Sequence, residues 1–396
     1  MKITSVKAIA VNIPFKTPYK WSVGAYTGIT RVIIEVHTDE GISGYGESPS
    51  WESEEEINTF MAQRLIGMDP LDMEGCERAC VPEMRVLANT DGNTPLKSFG
   101  GIEMALWDIK GKYFRLPLYM LLGGAARKKI PMCEYFSYRM LNKGGTDGGE
   151  ATPLDVAKYC ARMREEHGST FFEGKCYTGD VKAEIKMVEE IRSALGEDAM
   201  IRLDGNMAWS MSSARELLKG LEPYNIRNFE DPVASFWDMK KLRMHSAIPF
   251  STHNPDPALA FHLGVPDSFV VNLTVLGGLR KTLGFIHTCE NLGLNVWCYS
   301  GDTGLATAGY LHVKAAVNHM HEPSQSLFRF MEFDIIEEGP FSPKNNFLDV
   351  PEGHGLGVNI HKKNLEYGHK LYKENGPMDQ FYNEADPKKF IRLPIN

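Results

Sequence analysis

Three short strand-like runs, each ending in a candidate metal ligand, constrain this chain more than any other feature of its sequence. They are IRLDGN around Asp204, IRNFEDP around Glu230 and IPFSTHNPD around His253, in steps of 26 and 23 residues. Steps of that length fit one strand plus one helix, so the three side chains are predicted to emerge at the same end of neighbouring parallel strands. Converging Asp, Glu and His side chains form a mostly oxygen site suited to a hard divalent cation such as Mg²⁺.

The segments around these three runs continue the alternation of strands and helices. Strands are predicted at 130–138, 170–177, 199–204, 226–230, 248–253, 268–274, 294–299 and 326–333. Helices are predicted between them, one from Asp155 to a stop at Gly168 and one from an Asp180 cap to Gly196. Eight strands over about 205 residues predict a compact barrel of alternating strands and helices.

The rest of the chain predicts a second domain beside the barrel. Residues 1–50 alternate like a β-meander and residues 53–124 show helical periodicity, while residues 15–28 are rich in Gly, Pro and aromatic side chains and predict a mobile loop. A helix at 364–375 is expected to fold back onto the first domain. The predicted boundaries are 1–125 for an α+β capping domain, 126–340 for the barrel and 341–396 for a C-terminal segment that packs on the cap.

The composition of the chain restricts the classes of partner that it is expected to bind. A net charge of −8 without a basic block argues against nucleic acid or an anionic membrane as a partner. No run reaches the roughly 20 apolar residues of a membrane helix, and the N-terminus lacks the pattern of a signal peptide. The seven cysteines show no CxxC spacing, which disfavours a disulfide framework or structural zinc. We expect a cytoplasmic homo-oligomer whose partner is a small molecule.

Motifs spread along nearly the whole chain resemble the enolase superfamily, in its mandelate racemase and muconate lactonizing branch. They are TDEGISGYGE, GGIEMALWDIKGK, FEGK, LDGNMAWS, FEDP, VLGG and GLGVNI. Together these motifs are specific, although each alone is weak. The resemblance implies a modified (β/α)₇β barrel with an N-terminal α+β cap that the C-terminal segment completes. Within the branch, LDGNMAWS and the segment after strand seven are most similar to the glucarate and galactarate dehydratases, which act on acid sugars.

The resemblance also implies which residues hold the metal. Asp204 and Glu230 match the first two Mg²⁺ ligands of the family, and His253 stands where the third is normally Glu, Asp or Asn. A galactarate dehydratase subgroup has histidine at that position as well. Asn254 is the alternative ligand if the strand register is shifted by one residue, and His253 is then only a polar residue at a strand end.

Lys175 in FEGK matches the second lysine of the family's KxK motif and is the predicted general base. Proton removal next to a carboxylate creates an enediolate dianion, which a divalent ion stabilises while a basic side chain takes the proton. The first lysine is replaced by Glu173, which the two-residue period of a strand places on the same face. A carboxylate there favours the protonated lysine and opposes its use as a base. The alternative is a Glu173–Lys175 pair with a structural role alone.

The opposite face of the substrate is predicted to carry Tyr299 and Asn272, where family members with a second acid–base group have a His–Asp pair. Tyr299 can protonate a leaving hydroxyl but is a poor base at neutral pH, which favours one-sided proton abstraction. Further substrate contacts are expected both from a loop over the barrel mouth and from polar residues at strand ends. These residues are Lys20, Trp21 and Tyr26 in the loop, and Asn206 and Glu332 at the strands. The alternatives are an exposed aromatic loop without function and, for the strand-end residues, packing alone.

These residues predict a Mg²⁺-dependent dehydratase that takes the proton α to the carboxylate of an aldonate or aldarate, eliminates the β-hydroxyl and yields a 2-keto-3-deoxy acid sugar. Two alternatives stay open. One is an epimerase, racemase or cycloisomerase with Lys175 as base and Tyr299 returning the proton. The other is a silent homologue that binds metal and acid sugar without turnover, because Glu173, Asn272 and Tyr299 depart from the family pattern.

Overall fold

An antiparallel sheet forms the N-terminal part of the chain. The computed structural model describes residues 1–82, 94–299, 301–325, 327–378, 383, 385–386 and 388–395. The sheet has the order β1–β2–β3 and consists of β1 (Ile3–Trp21), β2 (Gly24–Thr38) and β3 (Ser43–Ser48). Its buried residues, among them Val11, Val32 and Ile34, form one side of the capping domain's core.

The prediction of a mobile loop at residues 15–28 is wrong, because these residues form the end of β1 and the start of β2. Tyr19 pairs with Tyr26 and Trp21 with Gly24, after a shift of register that begins at Pro14. The backbone N–H of Lys20 donates to the carbonyl of Tyr138 at 2.9 Å, which ties this hairpin to the barrel side of the molecule. An excess of Gly, Pro and aromatic residues is typical of loops and does not reveal that the two halves of this segment pair with each other.

Helices cover the sheet and join it to the barrel. They are α1 (Ser53–Glu56), a π-helical turn (Ile57–Met61), α2 (Ala62–Leu65), α3 (Met73–Cys80), α4 (Thr94–Phe114) and α5 (Leu118–Leu121). Ile102 and Ile109 of α4 are fully buried, as their helical spacing predicts. At Gly46 of β3 an added Cβ would lie 2.0 Å from the carbonyl oxygen of Gly101, so glycine allows α4 to press directly on the sheet.

The barrel has seven parallel strands in sequential order, with a short antiparallel pair beside it. After β4 (Lys129–Pro131), the barrel strands are β5 (Glu134–Phe136), β6 (Phe171–Lys175), β7 (Met200–Asp204), β8 (Asn228–Glu230), β9 (Phe250–Thr252), β10 (Ser268–Val271) and β11 (Asn295–Cys298). The helices between them are α6 (Pro153–His167), α7 (Val181–Leu195), α8 (Met211–Leu221), α9 (Phe236–Arg243), α10 (Pro257–Leu263), α11 (Leu279–Asn291) and α12 (Gly304–Ala316). The predicted cap at Asp180 and the predicted stop at Gly168, with φ of 69°, are confirmed.

Two residues close the barrel where an eighth strand was predicted at 326–333. The N–H of Gln325 donates to Cys298 on β11 at 3.0 Å, and the N–H of Cys133, just before β5, donates to Ser324 at 2.8 Å. The prediction for 326–333 is wrong, since Phe328–Phe330 form a 3₁₀ turn. The architecture is nevertheless a (β/α)₇β barrel with an N-terminal α+β cap, as the sequence predicted.

The C-terminal segment ties both parts together. Strand β12 (Phe347–Asp349) pairs with β4, and α13 (Lys362–Asn375) packs on β1, where Nδ1 of His369 lies 2.8 Å from the carbonyl oxygen of Ala10. The predicted return of this helix to the first domain is confirmed. Within the described residues, no helix has the length and apolar character needed to span a membrane.

The side chain of Asn346 is predicted to stabilise the fold. Its side chain is buried, accepts from the N–H groups of Thr170 and Phe171 and donates to the carbonyls of Met132 and Phe171. Replacing it removes these bonds and leaves buried backbone groups unsatisfied, so Asn346→Ala should lower the free energy of unfolding by about 3 kcal/mol. Urea denaturation followed by circular dichroism measures this change.

Asn345→Ala is the matched control, because Asn345 has the same positive φ (49° against 64° at Asn346) while its side chain is exposed. Asn345→Ala places alanine at a positive φ as well but removes no buried hydrogen bond, so it should lower the free energy of unfolding by only about 1 kcal/mol. Equal effects of the two substitutions would mean that the Asn346 side chain does not anchor the C-terminal segment.

Candidate active site

The three predicted metal ligands converge at the carboxyl ends of neighbouring strands. Asp204 ends β7, Glu230 ends β8 and His253 directly follows β9, and their ligand atoms all lie within 4.8 Å of one another. Parallel pairing sets Asp204 directly opposite Glu230, which brings both side chains to one level of the barrel. Both carboxylates are buried, whereas the His253 side chain is 33% exposed to the cavity above.

Protonation of His253 balances the charge of this cluster. Its Nε2 contacts Oε1 of Glu230. Burial lowers the pKa of His253, but the nearby carboxylates of Glu230, Asp231 and Asp204 outweigh burial and raise it to about 10. Burial, followed by the charge of Asp204, raises the pKa of Glu230. The cluster thus holds a positive charge in the form of a proton.

The same residues fit a divalent cation. Two carboxylates and one imidazole offer three ligand atoms at close range, and buried like charges at this spacing call for a cation between them. Oδ2 of the adjacent Asp231 is also buried and makes no hydrogen bond within the described residues. Asn254, the alternative ligand, is an exposed residue that lines the cavity beside His253.

Lys175 lies next to the cluster at the end of β6. Its Nζ is 2.5 Å from Oδ2 of Asp204 and also donates to Oδ1 of Asn206, and the side chain is 7% exposed. The rings of Trp21 and Tyr135 lie over this ammonium, with centroids at 5.4 and 5.8 Å. The structure therefore places the predicted base beside the predicted ligands.

A tight turn after β7 aims Asn206 back at Lys175. Asn206 and Met207 both have positive φ, 40° and 59°, and the N–H of Asn206 donates to Oδ1 of Asp204 at 2.9 Å. Asp231, after β8, has φ of 40° as well. Asn and Asp adopt positive φ more readily than other residues with a side chain, so the strain is greatest at Met207.

Glu173 has a partner on the neighbouring strand rather than on its own. It lies opposite Arg202 in the β6–β7 register, and Oε2 is 2.6 Å from Nη2 of that arginine. Both side chains are fully buried. Glu173 is absent from the cavity lining, so the sequence-based alternative of a Glu173–Lys175 pair is wrong and Glu173 is not among the groups that could meet a substrate.

Tyr299 and Asn272 line the wall opposite Lys175. The Tyr299 ring packs edge-on against His253, with centroids 4.7 Å apart, and burial followed by the charge of Asp302 raises the pKa of its phenol. Oδ1 of Asn272 accepts from Thr274, and Nδ2 donates to Asp302 at 2.7 Å. Tyr299 therefore stays a proton donor, while Asn272 is committed to structural hydrogen bonds.

The cavity above the cluster has a volume of about 500 Å³. Trp21 and Tyr26, with ring centroids 5.0 Å apart, line it from the capping domain. Lys20, on the same hairpin, does not line it, and Glu332 is exposed to solvent outside it. Both expectations assumed structure that the chain lacks, a mobile loop at 15–28 and an eighth strand at 326–333.

Sequence reasoning missed Gln325, Arg31 and Leu393, which line the cavity from three distant parts of the chain. Gln325 lies on the short closing segment, where the strand pattern is too brief to detect. Arg31 projects from β2 and binds Asp302 at 2.8 Å through Nε. A pattern of inward-facing positions on β2 is the available signal for Arg31, whereas the sequence around Leu393 carries none.

Comparison with known proteins matches both parts of the chain to known families. The mandelate racemase / muconate lactonizing enzyme N-terminal domain matches residues 3–123, and the enolase C-terminal domain-like family matches residues 155–364. An N-succinyl-L-Arg/Lys racemase of Bacillus cereus is 27% identical over 387 residues, covering 92% of this chain and 97% of the racemase. A probable glucarate dehydratase of Streptomyces coelicolor is 24% identical over 372 residues, covering 87% of this chain and 86% of the relative.

Further curated relatives are dipeptide epimerases and chloromuconate cycloisomerases. Among solved structures, an enolase from Pseudomonas fluorescens with bound magnesium, potassium and tartrate superposes with a TM-score of 0.85 at 22% identity, over 95% of this chain and 93% of that one. That likeness concerns the fold. With both domains matched by family models, the chain belongs to the enolase superfamily, in its mandelate racemase and muconate lactonizing branch, and is an enzyme of that superfamily.

Proposed function

We propose that the protein is a Mg²⁺-dependent dehydratase of an acid sugar, an aldonate or aldarate. It would remove the proton α to the carboxylate, release the β-hydroxyl as water and yield a 2-keto-3-deoxy acid. One observation carries the proposal: Lys175 stands beside the carboxylate cluster on one side of the cavity, while the facing wall presents Tyr299, a proton donor. That asymmetry fits one-sided abstraction followed by elimination.

Each residue then has a distinct task. Lys175 takes the α-proton, and Asn206 together with Asp204 fixes the position of its Nζ. Asp204, Glu230 and His253 hold the ion, which when bound supplies positive charge for the substrate carboxylate as it gains electron density.

Tyr299 protonates the leaving hydroxyl. The conjugate acid of hydroxide, water, has a pKa of about 15.7, so even a buried phenol can give up its proton to that group. Tyr299, on the wall opposite Lys175, thus assists the departure of the leaving hydroxyl and does not return a proton to the α-carbon.

An isomerase on the same scaffold is the second candidate, because a racemase, epimerases and cycloisomerases are among the relatives. It requires a proton to reach the α-carbon from the side of Tyr299, or back from Lys175. Dehydration and isomerisation share the first step and differ in whether the β-hydroxyl leaves. Experiments in D₂O therefore separate them.

Lys175→Ala tests the shared first step. Incubation with Mg²⁺ and a panel of aldonates and aldarates in D₂O should give 2-keto acid with the native protein, and about 10²- to 10⁴-fold less with the variant, because the base is gone. Lys182→Ala, at an exposed lysine on α7, is the control and should retain native rates. Exchange of the α-proton without keto acid in the native protein would instead establish the isomerase.

Tyr299→Phe tests the second step separately. Removing the phenol leaves Lys175 and the cluster in place, so α-proton exchange should continue while keto acid formation falls about 100-fold. Nuclear magnetic resonance follows both signals in one sample. An equal loss of both signals would argue against Tyr299 as the group that serves the leaving hydroxyl.

Metal affinity should rise with pH, because the raised pKa of His253, about 10, means that the ion must displace a proton from this residue at neutral pH. Below that pKa, the metal affinity should rise by up to about tenfold per pH unit for each proton that the ion displaces. Calorimetric titration with Mg²⁺ or Mn²⁺ between pH 6 and about 9, in buffers of different ionisation enthalpy, measures affinity and proton release. His253→Asn should flatten the pH dependence, and an affinity independent of pH in the native protein would contradict the assignment.

A further inference from the structure

The barrel interior contains two stacked layers of polar side chains. Residues two apart on a strand face the same way, so Lys175 and Asp204 lie one layer above Glu173 and Arg202. The upper layer carries the proposed chemistry. The lower layer is sealed from solvent, and its charges have no access to a substrate.

Gln325 connects the two layers. Its Nε2 donates to Oε1 of Glu173 at 2.6 Å and to Oε2 of Glu230 at 2.8 Å. Both partners are carboxylate oxygens, so the amide nitrogen and not the amide oxygen must face them. One NH₂ group with two hydrogens therefore bridges a lower-layer carboxylate to a proposed metal ligand.

The bridge leaves the two oxygens of Glu230 with different roles. Oε2 accepts from Gln325, while Oε1 contacts Nε2 of His253 within the cluster. A partial rotation of the carboxylate would weaken both contacts at once. Gln325 thus fixes the orientation in which the Glu230 carboxylate faces the cluster.

The lower layer holds Gln325 in place. Arg202 pairs with Glu173, donates to the carbonyl of Pro323 at 2.6 Å, and stacks over the ring of Trp297 with its guanidinium carbon 4.2 Å from the centroid. A buried carboxylate without such a partner would be strongly unfavourable and would compete for the protons and cations of the upper layer. With Arg202 in place, Glu173 is free to accept from the amide.

We propose that Gln325 is a positioning residue for metal binding, and that the buried Glu173–Arg202 pair anchors it. A lysine at position 173 could not take this part, because it cannot accept a hydrogen bond from an amide nitrogen. The inference rests on the metal site of the proposed function and is independent of which acid is dehydrated.

Calorimetric titration of Mg²⁺ and Mn²⁺ into the full chain tests the proposal. Gln325→Met keeps a similar volume but removes both donors, and Gln325→Asn withdraws the amide by one methylene, so both should weaken metal binding about 10- to 100-fold. Gln63→Met, at an exposed glutamine, is the control and should bind like the native protein. Thermal melting of each metal-free variant shows whether it is folded. If Gln325→Met does not fold, the metal affinity of Gln325→Asn tests the proposal.

A double-mutant cycle separates positioning from a general structural effect. In a Glu230→Gln background the carboxylate that Gln325 orients is absent, so adding Gln325→Met should change metal affinity by less than about threefold. Native affinity in both Gln325 variants, or full additivity with Glu230→Gln, would overturn the proposal. Absence of metal binding by the native protein would instead refute the proposed metal site itself.

Discussion

The register between β6, β7 and β8 is the constraint on which the site depends. It sets Lys175 opposite Asp204 and Asp204 opposite Glu230, so that three charged groups meet at one level of the barrel. A slip of one residue in any of these strands would turn its inward side chains outward. Because the barrel is closed by backbone hydrogen bonds from Ser324 and Gln325, such a slip is opposed along the whole circumference.

Buried charge is the second constraint, and it is balanced layer by layer. Glu173 and Arg202 neutralise each other below, while Asp204 and Glu230 share Lys175 and the protonated His253 above. Neither layer carries a large net charge, which explains how a barrel interior can hold so many ionised groups. The three candidate ligand atoms of the upper layer thus lie close together without a large uncompensated negative charge.

The sequence predicted the elements whose signals are local. Apolar runs that end in a polar residue located β6 to β9, and with them Asp204, Glu230 and His253. Lys175 was identified through the resemblance of FEGK to the family's KxK motif. The sequence could not locate the closing segment, since two residues are too few for a pattern, and this error carried Glu332 into the site in place of Gln325. The hairpin at 15–28 was missed because its Gly, Pro and aromatic residues are typical of loops, whereas its strand structure depends on pairing across the turn, as between Tyr19 and Tyr26.

The cavity walls come from segments far apart along the chain. Arg31 meets Asp302, Ser22 donates to the carbonyl of Asn206, and Ile395 binds the carbonyl of Ala208 next to the cavity-lining Leu393. Contacts of such separation cost the most loop-closure entropy and form slowly. The site therefore exists only where the barrel and the cap have both assembled, and a ligand that binds there stabilises that assembled state over the unfolded chain.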